Sequence, residues 1–217
     1  MRAILLLVVT CSAATASAED LPLEPYPLDD IPRVVDVRGP MRCPAVPLVP
    51  HPGERVRWKT ALKVHPAFAQ RLEAFEAVVA EVATAVYGRA PARIAHLGSF
   101  NCRRIRRYPD LLSEHGVGNA IDVSAFEFPA LTRAEARQSA LPKALRRAFT
   151  VSVLDHWDGP EEEAPIQPKA LHRRFLRELT AALERRPEIF RVMLGPAYPG
   201  HDNHFHFDCA PYRLVVL

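Results

Sequence analysis

Apolar residues recur at helical spacing in two long stretches of the chain. Phe68, Leu72, Phe75, Val79, Val82 and Val86 fall at steps of three and four, which predicts an amphipathic helix over 66–87 with Gly88 as its stop. Leu171, Phe175, Leu179 and Leu183 predict a second helix over 168–185, ended by Pro187. Shorter β-branched and aromatic runs predict strands over 94–100, 119–126, 149–154, 190–194 and 204–208. Thr132, with Glu135 three residues on, predicts a capping box opening a helix that Pro142 kinks or splits. Long helices among scattered short strands, with no internal repeat, predict an α+β fold: a small antiparallel sheet flanked by helices.

The N-terminal quarter breaks this pattern. Residues 19–53 hold nine prolines, each lacking an amide donor and fixing φ, so no regular helix or central strand forms there. We read 19–55 as an extended arm, either a tether or a strap lying on the domain at 56–217. Before it, Met1-Arg2, the apolar run Ala3–Thr10 and the small residues Ala16-Ser17-Ala18 read as a signal peptide, 1–18, cut after Ala18. A lipid anchor on Cys11 is disfavoured by the bulky Thr10 before it. No later apolar stretch is long enough to span a bilayer. These features predict a periplasmic or secreted location.

Removal of the leader leaves Cys43, Cys102 and Cys209. An oxidising compartment permits one disulfide among three possible pairings. The net charge of +3 is too mild to argue for a nucleic-acid partner, and we expect a monomer.

Four of the nine histidines lie in two short segments, Ser113–Val123 and Gly200–Asp208. His115 sits beside Gly116 and Gly118, which let the backbone turn sharply. In the strand that follows, Ala120 and Asp122 share one face while Ile121 and Val123 take the other. In the second segment, His204, His206 and Asp208 share a face opposite Phe205 and Phe207. Pairing of these strands would let Asp122 and His206 meet around one ion below His115. Imidazole and carboxylate donors suit zinc, and three protein ligands leave a position for water. Asp208 reads as a plain strand-end carboxylate. His51, His65, His96, His156 and His172 read as structural, and Asp155-His156-Trp157 as a turn with a packed Trp.

Ser113-x-His115-x-x-Gly118-x-Ala120-x-Asp122 resembles the signature of the zinc D-Ala-D-Ala carboxypeptidases, whose fold is shared by murein endopeptidases and the hedgehog signalling domain. His204-x-His206 is similar to their closing H-x-H. Gly98–Arg103, Ser113-Glu114-His115, Leu194-Gly195-Pro196 and His201–His206 more closely resemble the extensin-like C-terminal domain family of bacteria, over roughly 42–210. The resemblance implies His115, Asp122 and His206 as metal ligands, one zinc ion, and His204 as a group beside the metal or at the transition state. The carboxypeptidases carry a Glu base three residues before the last ligand. Here that position is Asn203, which takes no proton at neutral pH. The spacing His201-x-x-His204-x-His206 is similar to the murein endopeptidases, so His201 or His204 is the expected base, with Asp202 a weaker candidate. Arg103 lies near the family's substrate-facing arginine. In a blander reading Arg103, Arg104, Arg106 and Arg107 form a solvated basic loop that attracts the anionic wall.

The expectation is an exported zinc metallopeptidase acting on peptidoglycan peptides. Two alternatives come from other classes: a metal-containing wall-binding module without turnover, and a structural wall protein whose Pro-rich arm does the binding.

Overall fold

The computed structural model describes residues 23–159 and 167–217. The segment 1–18, expected to be a signal peptide, and the start of the arm lie outside the described residues. In chain order the elements are β1 (Val49–His51), β2 (Arg57–Trp58), β3 (Leu62–Val64), α1 (Pro66–Tyr87), β4 (Arg93–Gly98), β5 (Arg104–Ile105) and β6 (Tyr108–Leu112). A 3-10 turn at Glu114–Val117 then leads into β7 (Ala120–Phe128), α2 (Arg133–Gln138), β8 (Phe149–Ser152), α3 (Val153–His156), α4 (Pro168–Glu184), β9 (Val192–Leu194), β10 (Phe205–Asp208) and β11 (Leu214–Val216). The protein is α+β, as the spacing of its apolar positions predicts.

Helix α1 has a complete set of terminal signals. His65 Nδ1 accepts from the Ala67 amide at 3.2 Å, Pro66 starts the helix, and Gly88 closes it at φ 69°. Its buried face carries Phe68, Leu72, Phe75, Val79, Val82 and Val86. These residues share one core with Phe175, Leu179 and Leu183 of α4 and with Ile121, Val123, Phe205 and Phe207 of the sheet. The two long helices therefore cover one sheet face, and residues of opposite parity are left on the other.

The main sheet has seven strands, in the order β11-β9-β10-β7-β4-β2, with β8 also on β7. Pairings around β7 are antiparallel, whereas β11 on β9 and β2 on β4 run parallel. The first half of β7 pairs with β10 and the second half with β8. That arrangement makes β7 the central strand and puts its N-terminal end at the heart of the protein.

Several elements differ from expectation. The strand expected at 94–100 runs from Arg93 to Gly98, with shifts of register against β7 on both sides of His96. The strand expected over 149–154 ends at Ser152, whose hydroxyl accepts from the Asp155 amide at 3.2 Å and starts the single turn of α3. The capping box at Thr132 and Glu135 is present, but its helix is only six residues long.

The described part of the arm lies on the domain as a strap. Tyr26 and Leu28 enter the core. The Val35 amide donates to the Asp110 carbonyl and the Leu112 amide to the Arg33 carbonyl, so the arm runs antiparallel to β6. The end of the arm forms β1, which pairs with β3. Cys43 is disulfide-bonded to Cys102, and Cys209 is left as a buried free thiol. No helix among the described residues is long and apolar enough to cross a membrane.

Glu76 holds the chain between β1 and β2 against α1. This fully buried carboxylate accepts from His51 Nε2 and Trp58 Nε1 at 2.8 Å each, and from the Glu54 and Arg55 amides at 2.8 and 3.0 Å. Burial opposes its charge, but these donors hold its carboxyl below the usual range.

Candidate metal centre

The register of β7 and β10 sets His206 directly opposite Asp122. Phe205 and Phe207 point into the core, as do Ile121 and Val123, so His206 and Asp122 share the other face. Their contact is 2.9 Å, from His206 Nδ1 to Asp122 Oδ1. His115 arrives from the 3-10 turn before β7, and its Nε2 lies 3.2 Å from both Asp122 Oδ1 and His206 Nδ1. These three residues form a group able to hold a metal ion among the described residues.

The outer nitrogen of each imidazole is occupied. His115 Nδ1–H donates to the Ser99 carbonyl at 3.2 Å, and His206 Nε2–H donates to Asp208 Oδ2 at 2.7 Å. Each inner nitrogen therefore turns toward the centre, as cation ligation requires. Three acceptor atoms at such separations repel one another unless a proton or a cation sits among them. Burial opposes a charge on His206, but bonds to Asp122 and Asp208 overcome it and push the imidazole up to about 10. Burial likewise opposes charge on Asp122, yet His115 and His206 hold its carboxyl far below the usual carboxylate range.

Close packing by the arm holds the loop that carries His115. A Cβ on Gly116 would sit 2.8 Å from Cys43 Sγ, and one on Gly118, at φ +64°, would sit 2.5 Å from Leu48 Cδ2. Glycine is thus required at Gly118, where the His65 amide nitrogen would also lie 2.9 Å away, whereas at Gly116 the Cys43 and Leu112 side chains would have to shift. Next to His115, Glu114 receives a two-pronged contact from Arg33 at 2.8 and 3.0 Å and a bond from Asn119 Nδ2 at 2.6 Å. Tyr26 donates to Asn119 Oδ1 at 2.8 Å. Asp29 accepts from Arg191 at 2.5 and 3.2 Å. Arm residues Tyr26, Asp29 and Arg33 therefore brace the centre from outside.

His204 and His201 stand beside the three central residues. His204 Nε2 lies 3.7 Å from Asp122 Oδ1, and its Nδ1–H donates to Asn203 Oδ1 at 2.8 Å. The ring of His201 is 4.7 Å from that of His204 and 5.8 Å from that of His206, centroid to centroid. Burial and the neighbouring imidazoles bring His201 down to about 4, and burial lowers His204. Both are then neutral near pH 7 and able to accept a proton.

Arg103 is half-buried next to the disulfide, and its carbonyl accepts from the Ser113 amide at 3.1 Å. Its backbone therefore runs beside the segment holding His115. No hydrogen bond or ion pair links its guanidinium to the centre among the described residues. Asp202 is exposed.

Residues 29–215 match the family described as extensin-like protein C-terminus. The chain belongs to that family. The match covers almost the whole of the extensin-like domain and includes the arm from Asp29 onward, in keeping with the arm's packing on the centre. No curated protein and no solved structure matches the chain.

Sequence reasoning missed three groups in this extensin-like domain. Asp208 is not a plain strand-end carboxylate, because it orients His206. Its parity with His206 on one strand was an available signal. Ser99 acts through its carbonyl, so its side chain gave no clue. Asn203 accepts from His204 Nδ1–H through its side-chain oxygen and so fixes the orientation of that ring. The five remaining histidines have structural partners or positions: His51 with Glu76, His65 at the start of α1, His96 with Thr60, His156 with Ser152 and His172 with Tyr87.

Proposed function

We propose that this chain is an exported zinc-dependent hydrolase that cuts amide bonds in peptidoglycan stem peptides, as a carboxypeptidase or an endopeptidase. The observation that carries the reading is the triangle of His115 Nε2, Asp122 Oδ1 and His206 Nδ1, with sides of 2.9–3.2 Å. Tetrahedral zinc with bonds of ~2.0–2.1 Å separates neighbouring ligand atoms by about 3.3 Å, so the donors stand at nearly the spacing that ion needs. Two imidazoles with one carboxylate form a catalytic rather than a structural donor set, because one position stays open.

His115, Asp122 and His206 would hold a zinc ion, which would supply Lewis acidity to the scissile carbonyl and the attacking water. His204 takes the water proton at Nε2 as the water oxygen bonds to the carbonyl carbon. It then returns that proton to the amide nitrogen as the C–N bond breaks. Asn203 keeps His204 Nδ1–H engaged, so Nε2 is the nitrogen that works. His201 packs against the outer side of His204 and is the alternative base. Arg103, alongside Ser113, is assigned to the negative charge that develops on the carbonyl oxygen. The disulfide is consistent with an oxidising compartment.

Mass spectrometry of a muropeptide digest tests this reading, comparing wild type, chelator-treated protein and His206→Ala. Cleavage by wild type alone is expected. Zinc-bound wild type that leaves every muropeptide intact would refute it. Asn203 in place of a Glu base favours a second reading, a metal-containing wall-binding module. On that reading His201→Ala and His204→Ala would bind wall peptides like wild type, and no turnover would appear.

A further inference from the structure

Three consecutive turns lead away from the metal centre. The Tyr198 amide donates to the Gly195 carbonyl at 2.8 Å, the His201 amide to the Tyr198 carbonyl at 3.1 Å, and the His204 amide to the His201 carbonyl at 3.3 Å. A three-residue repeat of this kind stacks every third side chain on one side. Tyr198, His201 and His204 accordingly form a row of rings, with centroids 5.2 and 4.7 Å apart. Tyr198 also packs against Val192, Leu194 and Ala210, which fixes the outer end of the row.

The tip of the β5–β6 hairpin reaches the same end. Arg106 and Arg107 form its two-residue turn. The guanidinium carbon of Arg107 stands 5.9 Å from the centre of the Tyr198 ring, within cation–π range. The hairpin is held firmly. Arg104 donates to the Asp36 and Gly39 carbonyls, and β6 pairs with the arm. No Asp or Glu pairs with Arg107 among the described residues. A cation steered over an aromatic ring, with its charge unpartnered and its support braced, is arranged to receive an anion.

We infer that Arg107, seated on Tyr198, is a specificity-determining residue that binds a carboxylate of the peptide substrate, with the Tyr198–His201–His204 row as the ledge along which the peptide lies. The steps of 4.7, 5.2 and 5.9 Å along the row cover no more than about four to five residues of extended chain at ~3.4 Å each. The carboxylate therefore belongs to a residue within that distance of the scissile amide, as a side chain or as the chain terminus. This inference rests on the reading of the centre as a peptide site. It assigns the recognising cation to Arg107, leaving Arg104 to hold the hairpin.

Calorimetric binding to full-chain protein dialysed against zinc tests it, with hydrolysis followed in parallel. The probes are a synthetic stem pentapeptide with free carboxylates, one amidated at its side-chain carboxylate and one amidated at its terminus. The proteins are wild type, Arg107→Gln, Arg107→Lys and Arg106→Gln, each checked for unchanged circular dichroism and zinc content. Arg107→Gln is expected to bind the free peptide about tenfold or more weakly than wild type, the loss of a charge-assisted bond. Arg107→Lys should restore only part of that. One amidation should make wild type and Arg107→Gln alike, and which one does so identifies the carboxylate. Arg106→Gln should bind like wild type. An equal loss in Arg106→Gln, indifference to both amidations, or no binding of any peptide would overturn the inference. Arg107-dependent binding without hydrolysis would support it while removing the hydrolase reading. Hydrolysis insensitive to Arg107 and to amidation would do the reverse.

Discussion

Asp208 holds the outer nitrogen of His206 at 2.7 Å and caps the Ala210 amide at 2.8 Å through its other oxygen. One carboxylate thus fixes both the ring orientation and the exit of β10. Asp208→Asn keeps an acceptor but removes the charge that raises the basicity of His206. Zinc affinity should fall about 10- to 100-fold, the usual effect of losing a partner behind a metal-bound histidine. Competition with a fluorescent chelator measures this, and an unchanged affinity would mean that Asp208 serves only the turn.

Zinc entry should release a proton. With His206 pushed up to about 10, the metal-free protein at neutral pH carries an imidazolium between Asp122 and Asp208, and Nδ1 must lose its proton to bind a cation. The folded pKa is raised, so the competing proton is fully present at low pH and is removed only as pH climbs toward that value. Apparent affinity should therefore rise by about tenfold per pH unit between roughly pH 6 and 8. Calorimetry in buffers of different ionisation enthalpy should report about one proton released per zinc.

Glu76 should matter as much for folding as any core phenyl ring. Its two oxygens accept from four donors, and in Glu76→Gln an amide NH2 would face two of them. A loss of about 3 kcal/mol or more is expected, read from the urea midpoint. A shift below about 1 kcal/mol would show that the anion adds little there.

His172 gives a pH dependence of the opposite origin. It is buried, bonded to Tyr87 at 2.9 Å, and burial followed by the neighbouring His156 brings it down to about 4. The unfolded chain takes up a proton below about 6.5 that the folded protein refuses. Stability should fall as pH drops from about 6.5 toward 4 and then level off, by on the order of 3 kcal/mol. In His172→Phe that share of the slope should vanish, leaving the share owed to His201, which burial also brings down to about 4. Urea unfolding at a series of pH values compares the two, and identical slopes would contradict the assignment.

The long elements and the central residues were legible because they rest on local periodicity. The three-and-four spacing of α1 and α4, and the parity of Asp122 against Ile121 and of His206 against Phe207, follow from backbone geometry alone. Groups acting across the fold were not legible. Ser99 contributes a carbonyl, Asn203 works through its neighbour, and Arg107 meets Tyr198 only when a hairpin tip folds over distant turns. Glu76 could have been found, as a charged residue on the apolar stripe between Leu72 and Val79. The arm's nine prolines left tether and strap equally open. Its capture depends on single contacts such as Arg33 with Glu114, which composition does not encode.

Metal content tests the central claim most directly. Wild-type protein, purified without chelators, dialysed against zinc and then against metal-free buffer, would be assayed by plasma mass spectrometry beside Asp122→Ala and His206→Ala. One zinc per chain is expected in wild type and less than about a tenth of that in either variant, with all three folded by circular dichroism. Correctly folded wild type that retains no metal, or variants that retain as much as wild type, would contradict the assignment of His115, Asp122 and His206.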